Sequence, residues 1–315
     1  MSFSHDVRNE LARAMPEKEC CCKAELSALL ASGAIVIGSG EDGCNLKVRV
    51  ENAATARKIF KLLKESYSLQ STVRIENRKR FGKTKIYEVD THFSSDNLSI
   101  LQELHLIEDN NNSKSRPSPK FTRKTCCKRS YLRGIFLSRG FVNRPENDYH
   151  LEIVFNEEKL AIHVQKLLAR FDIEARIFER KSSFVLYVKE SEKIGDFLRV
   201  VGANRALLEF ENVRIIKSMR NTVNRQVNCE TANLAKTIDA SVRQIDLINR
   251  AREKEGWKKM PAQLKELAFL RVHYPDYTLK ELGELTQPPL SKPGVAYRMR
   301  RLEKIAEDII GQIEL

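Results

Sequence analysis

The apolar and polar positions of this chain repeat at a distance of about a hundred residues, too long for a solenoid and suited to a duplicated domain. In residues 130–142 the run Tyr131-Leu132-Arg133-Gly134-Ile135-Phe136-Leu137-Ser138-Arg139 is helical in character. Its small residues Gly134 and Ser138 stand at i and i+4, a smooth stripe on which a second helix backbone can lie closely. Gly140 ends the helix and Phe141-Val142 opens a strand. The echo is Leu26-Ser27-Ala28-Leu29-Leu30-Ala31-Ser32, then Gly33 and the β-branched run Ile35-Val36-Ile37. Downstream, the alternating residues 46–50 match 151–155, the helical residues 53–63 match 158–168, and Arg74-Ile75 matches Arg176-Ile177 in the next strand.

Each copy therefore reads αββαββα. Strands joined as hairpins predict two antiparallel sheets, each with helices on one face and the other face open to water or a ligand. The copies span about 21–107 and 125–202 within a domain at 21–205, preceded by a short helix within 1–20. A polar, Pro-broken linker at 108–124 separates them. Residues 206–256 read as two or more connector helices, interrupted by the polar stretch 221–233. The last part, 257–315, is a distinct all-α unit. Pro261 suits the start of a helix carrying Leu264, Leu267 and Leu270, and Thr278-Leu279-Lys280-Glu281 is a capping box. Ser291 caps a third helix with Val295, Met299, Leu302 and Ile305 inward. Three short helices of this kind predict a helix-turn-helix, although the turn 286–294 is longer than usual.

Charge adds a partner class. The 315 residues hold 55 Lys and Arg against 42 Asp and Glu, a net charge of +13. That surplus favours an anionic partner such as nucleic acid, or else a solvated cationic surface. It concentrates in two places. The third terminal helix offers Lys292, Tyr297, Arg298, Arg300, Arg301 and Lys304, with Ser291 at its cap, as candidate DNA contacts. A hairpin tip presents Arg78, Lys79, Arg80 and Lys83 around Phe81, which suits either a soluble turn or a grip on phosphates. No apolar run approaches the roughly 18 residues needed to cross a bilayer. The first residues lack the order of a secretion signal, so a cytoplasmic, nucleoid-associated protein without membrane contact is expected.

Seven cysteines lie at 20, 21, 22, 44, 126, 127 and 229. The two clusters each precede a repeated helix and can meet in space as a thiolate site. The C-x₂-C spacing of a zinc ribbon is absent, and buried free thiols are the competing explanation, so no metal is assigned.

The residues Leu132 to Val142, with the αββαββα repeat, resemble the LAGLIDADG motif and fold of homing endonucleases. The resemblance implies paired motif helices at a pseudo-subunit junction, and two sheets forming a saddle on DNA. It also implies a metal-binding acid just before the motif's final Gly. Arg139 stands there in the second copy, and Ser32, or Gly33 in a slipped register, in the first. Metal-assisted phosphodiester cleavage needs carboxylates around Mg²⁺. A guanidinium repels the cation and attracts phosphate. The expectation is a scaffold without catalytic residues or cofactor, with Arg139 a candidate phosphate contact.

Such a degenerate pair joined to a C-terminal helix-turn-helix is similar to the bacterial WhiA family of transcriptional regulators. The residues that carry the likeness are Cys126 to Leu137, Asn224 to Leu234 and Leu285 to Arg298. The resemblance implies promoter binding through the C-terminal module and a link to cell division and, in sporulating bacteria, sporulation. One alternative is a scaffold that docks another transcription factor or an RNA polymerase subunit while the small module alone touches DNA. An active homing endonuclease is the other, and the missing acids oppose it. The internal duplication favours a monomer.

Overall fold

The structure, a computed structural model, describes residues 2–31, 34–40, 43–78, 84–104, 106 and 119–311. The chain divides into two compact units, Met1–Ser218 and Met219–Leu315.

In the first unit, α1 (Phe3–Arg13) precedes the first copy: α2 (Glu19–Ala31), β1 (Ala34–Gly40), β2 (Gly43–Val50), α3 (Ala53–Tyr67), β3 (Ser71–Arg78), β4 (Thr84–Phe93) and α4 (Leu98–Glu103). The second copy repeats this order as α5 (Thr125–Arg139), β5 (Gly140–Val142), β6 (Leu151–Phe155), α6 (Glu158–Ala169), β7 (Arg176–Arg180), β8 (Ser183–Val188) and α7 (Ser191–Val201). The sheets are antiparallel with orders β1-β2-β4-β3 and β5-β6-β8-β7, the α+β fold expected. Local chemistry sets the boundaries. The Asn52 side chain accepts from Ala54 N and Thr55 N to start α3, and Ser68 in the left-handed region ends it. Along β6 the core-facing Leu151, Ile153 and Phe155 alternate with half-covered residues.

The two motif helices α2 and α5 form the hub. A Cβ on Gly134 of α5 would stand 2.5 Å from the Glu25 carbonyl oxygen and 2.8 Å from the Ala28 Cβ of α2, so the backbones touch where glycine permits it. Beside this contact, Glu25 is fully buried and pairs with Lys58 of α3, which is also buried. Arg133 Nη1 of α5 lies 3.3 Å from Glu25 Oε2. Lys58 Nζ donates to the carbonyls of Leu11 and Ala14, both at 2.7 Å. Arg133 Nε donates to Val201 O at 2.7 Å. One carboxylate thus links α2 to α3 and α5, and its cations reach the ends of α1 and α7. Burial pushes the Glu25 carboxyl up and the Lys58 ammonium down, and the contact between them opposes both shifts.

Three expectations need correction. The linker read at 108–124 is structured at its end: Pro119–Thr122 forms a 3-10 turn whose Phe121 and Thr122 are buried against the core. The connector read as several helices is one, α8 (Asn204–Arg252), 49 residues long. It contains neither Gly nor Pro, and polar side chains in its middle bond along the axis, as Gln226 does to Glu230 at 3.0 Å. Polarity there reflects exposure and does not break the helix. Glu10 of α1 accepts from Arg205 N and Ala206 N at the start of α8, a carboxylate at the positive end of the helix. The pairing of Arg74 with Arg176 slips by two residues. Arg74 opposes Glu88 whereas Phe178 opposes Val185, and these are equivalent rows. A two-residue slip keeps the same face, so alternation alone cannot choose the register.

Gly134→Ala tests the hub. Alanine improves helix propensity by about 1 kcal/mol, but a Cβ against a backbone carbonyl has no rotamer to escape into. The expected net loss is about 1–3 kcal/mol in denaturant unfolding of the full chain. Lys58→Met, which leaves Glu25 short of a buried partner, should cost about 3–5 kcal/mol in the same measurement.

Candidate nucleic-acid interface

The second unit takes in α8 from Met219 onward, α9 (Ala262–His273), α10 (Leu279–Leu285) and α11 (Lys292–Gly311). Its core joins Ile248, Met260, Leu264, Leu267, Leu282, Val295, Met299 and Leu302. The start expected at 257 therefore falls inside the unit, because α8 supplies part of its core. Ser241 Oγ of α8 donates to Pro275 O at 2.6 Å, and buried Arg271 donates to Tyr277 O at 2.8 Å, fastening the turn between α9 and α10.

The capping box at α10 is complete. Thr278 accepts from Glu281 N at 3.4 Å and Glu281 Oε2 accepts from Thr278 N at 2.7 Å. This bond holds the Glu281 carboxyl below the usual range. The long turn to α11 is closed by Leu290 N donating to Gly283 O at 2.9 Å, and Thr286 Oγ1 donates to the same carbonyl at 2.9 Å. A Cβ on Gly283 would stand 2.3 Å from Leu290 O. Close approach at Gly283 therefore lets a turn of unusual length still seat α11 against α10.

That seating decides what α11 shows. Val295, Met299, Leu302 and Ala306 are buried. Tyr297, Arg300, Arg301 and Lys304, at i, i+3, i+4 and i+7, lie together on the exposed side, and Tyr297 is 66% exposed. Ser291 and Lys292 are exposed at its start, and Arg298 is half-buried one step round the helix. The acid within this stretch, Glu303, accepts from Gln244 of α8 at 2.8 Å. The helix continues past the basic stretch through Glu307 and Asp308, both exposed.

The other candidates belong to the first unit. Arg78 pairs with Thr84 in the β3–β4 ladder, while Lys79, Arg80 and Lys83 lie outside the described residues, as do Ser32 and Gly33. Arg139 is the last, exposed residue of α5. On the open faces of the two sheets, one equivalent row differs in chemistry. In the first, the row Arg49–Glu88–Arg74 crosses three strands. Arg49 Nε donates to Glu88 Oε2 at 2.7 Å, and Lys47 Nζ lies 3.9 Å from Glu88 Oε1. In the second, the equivalent row is Val154–Val185–Phe178, and Phe178 packs edge-on against Tyr187 at 5.5 Å.

The duplicated unit and the helix-turn-helix unit each have a counterpart among known domains. The WhiA N-terminal LAGLIDADG-like domain matches residues 19–107, the WhiA LAGLIDADG-like domain 128–220, and the WhiA C-terminal HTH domain 223–306. The chain belongs to the WhiA family. A relative named probable cell division protein WhiA, from Syntrophomonas wolfei subsp. wolfei, is 58% identical over 314 residues, covering 98% of this chain and 99% of its own. The WhiA of the same name from Oceanobacillus iheyensis is 44% identical over 312 residues, 98% of each chain. The crystal structure of full-length DUF199/WhiA from Thermatoga maritima is 25% identical, with a TM-score of 0.61 over 98% of this chain and 99% of that one.

Two features of this WhiA chain escaped sequence reasoning. Gly283 sits inside a short helix, where the only available signal was a glycine in an otherwise good helical segment. Arg271 carries no local signal, and its buried guanidinium is held by Ser241 Oγ, Pro275 O and Tyr277 O, distant in sequence or in the next turn. Gly283→Ala should lower unfolding stability of the C-terminal unit by about 1–3 kcal/mol, read as loss of amide exchange protection confined to α9–α11.

Proposed function

We propose that this chain is a sequence-specific double-stranded-DNA-binding transcriptional regulator of bacterial cell division, and of sporulation where the bacterium sporulates. In this reading α11 carries the DNA contact and the duplicated domain is a scaffold that does not cut. The observation that carries it is the stripe Tyr297, Arg300, Arg301 and Lys304 on the exposed side of α11, opposite the residues that seat the helix. Arginines on an exposed recognition-type helix can pair bidentately with guanine or hold phosphates. Ser291 and Lys292 at the helix start, with Arg298 beside the stripe, are assigned to phosphates. The names of the relatives support the cell-division assignment. Arg139 at the motif end supports a site that draws phosphate and repels Mg²⁺. A monomer on promoter DNA in the cytoplasm, at the nucleoid, completes the reading.

A second reading is favoured by the Val154–Val185–Phe178 row. An exposed aromatic such as Phe178 in an apolar row, flanked by Arg176 and Arg180, suits a protein partner, such as another transcription factor or an RNA polymerase subunit, better than phosphates alone. The duplicated domain would then dock that protein while α11 alone touches DNA.

Enrichment of bound fragments from sheared genomic DNA, with Mg²⁺ present, tests both. The full chain should enrich a common motif in uncut fragments. Arg300→Ala/Arg301→Ala should weaken specific binding by about 1–3 kcal/mol if one of the pair reads a guanine. If both hold phosphates, the loss should be uniform across sequences, with a salt slope shallower by about one per contact. Phe178→Ala should leave DNA affinity unchanged. Fragments ending at a fixed position, or unchanged affinity in the double variant, would overturn the assignment.

A further inference from the structure

Cys20 and Cys21 lie in the first turn of α2, and Cys126 and Cys127 in the first turn of α5. Because the hub pairs these helices closely, the four thiols converge, and their Sγ atoms all lie within 4.8 Å of one another. Among the described residues this is the one group of His, Cys, Asp and Glu near enough to hold a metal ion. Cys126 Sγ and Cys127 Sγ are 3.9 Å apart. Four thiolates around one zinc ion, each about 2.3 Å from the metal, lie about 3.8 Å from each other. We propose that these four cysteines form a structural zinc site that staples the two hub helices at their N-terminal ends.

The donor set argues for the ion. Thiolates select borderline and soft cations over Mg²⁺ or Ca²⁺, and four of them leave no open position for substrate, which marks a structural centre. The spacing suits one tetrahedral ion better than a polynuclear cluster, whose own irons and sulfides would have to fit between the thiols. The charge is provided for as well. Each pair sits where a helix presents its positive end, and Lys18, Lys23, Lys124 and Lys128 flank the pairs in sequence. Cys21 and Cys127 are buried while Cys20 and Cys126 are half-buried, so the site is shielded but open to an entering ion. Adjacent cysteines on a helix cannot readily bridge one another, which leaves cross-helix disulfides as the competing state of the same residues. Cys22 takes no part, since its thiol donates to Pro16 O at 3.3 Å. The missing C-x₂-C spacing is no obstacle, because each helix contributes one adjacent pair and the hub supplies the rest.

The test uses the full chain purified under reducing conditions. Elemental analysis should find about one zinc per chain. Replacing it with Co²⁺ should produce sulfur-to-cobalt charge transfer and the intense visible bands of tetrahedral cobalt. Stripping the metal with a chelator should lower the melting temperature, and added zinc should restore it. Cys21→Ser/Cys127→Ser should lose the cobalt spectrum, whereas Cys229→Ser, at an exposed position of α8, should keep it. Should the double variant fail to fold, the wild-type stoichiometry and spectrum still decide. Zinc well below one equivalent without the cobalt bands would overturn the proposal, and so would an intact mass showing cross-helix disulfides in the freshly prepared protein.

Discussion

The close approach of α2 and α5 is the constraint on which the first unit rests. Two helix backbones meet where Gly134 faces the Glu25 carbonyl and Ala28, and no larger residue fits there without parting them. The same approach buries Glu25, which would be costly alone and is tolerable because Lys58 and Arg133 converge on it. Those cations then satisfy the carbonyls of Leu11, Ala14 and Val201, so that segments far apart in sequence share one polar centre. Apolar packing determines how tightly the copies meet, and the buried charges determine which elements must meet there.

Duplication made two similar halves, and their surfaces have since diverged. The cores remain alike, with Val48 opposite Val89 in one sheet and Ile153 opposite Leu186 in the other. One residue further on, on the open face, Arg49 and Glu88 are replaced by Val154 and Val185. Core positions are held by packing against the hub, whereas the open face is free to change with whatever meets it. Here the row across the first sheet carries charges that largely satisfy each other, and the equivalent row of the second is apolar, with Arg176 and Arg180 flanking its Phe178 on β7. A cationic stripe that is gathered and exposed lies on α11.

Much of this was legible in the chain itself. The repeated αββαββα order follows from period-two and helical patterns that recur with Gly140 and the glycines near residue 33 as punctuation. The capping box at Thr278 and the inward stripe of α11 could be read because their signals are local, spanning three to seven residues. Where the reading failed, the missing information was long-range. The polar middle of α8 looked like a break because nothing in a sequence window distinguishes a solvated helix from a loop when both are hydrophilic. The β7 register slipped because alternation repeats every two residues. Gly283 and Arg271 gained their roles from contacts that only a closed turn and a packed core provide.

Local pattern by itself determined the elements, their order, the duplication and the cationic side of the last helix, since each depends on residues within a few turns of one another. Tertiary structure decided the rest. It set how near the hub helices come, brought Glu25 to Lys58, and joined the cysteines that precede the two hub helices, a meeting the sequence could only allow, into one cluster of four. These outcomes depend on distances between residues far apart in the chain, and such distances exist only once apolar burial has packed the elements together.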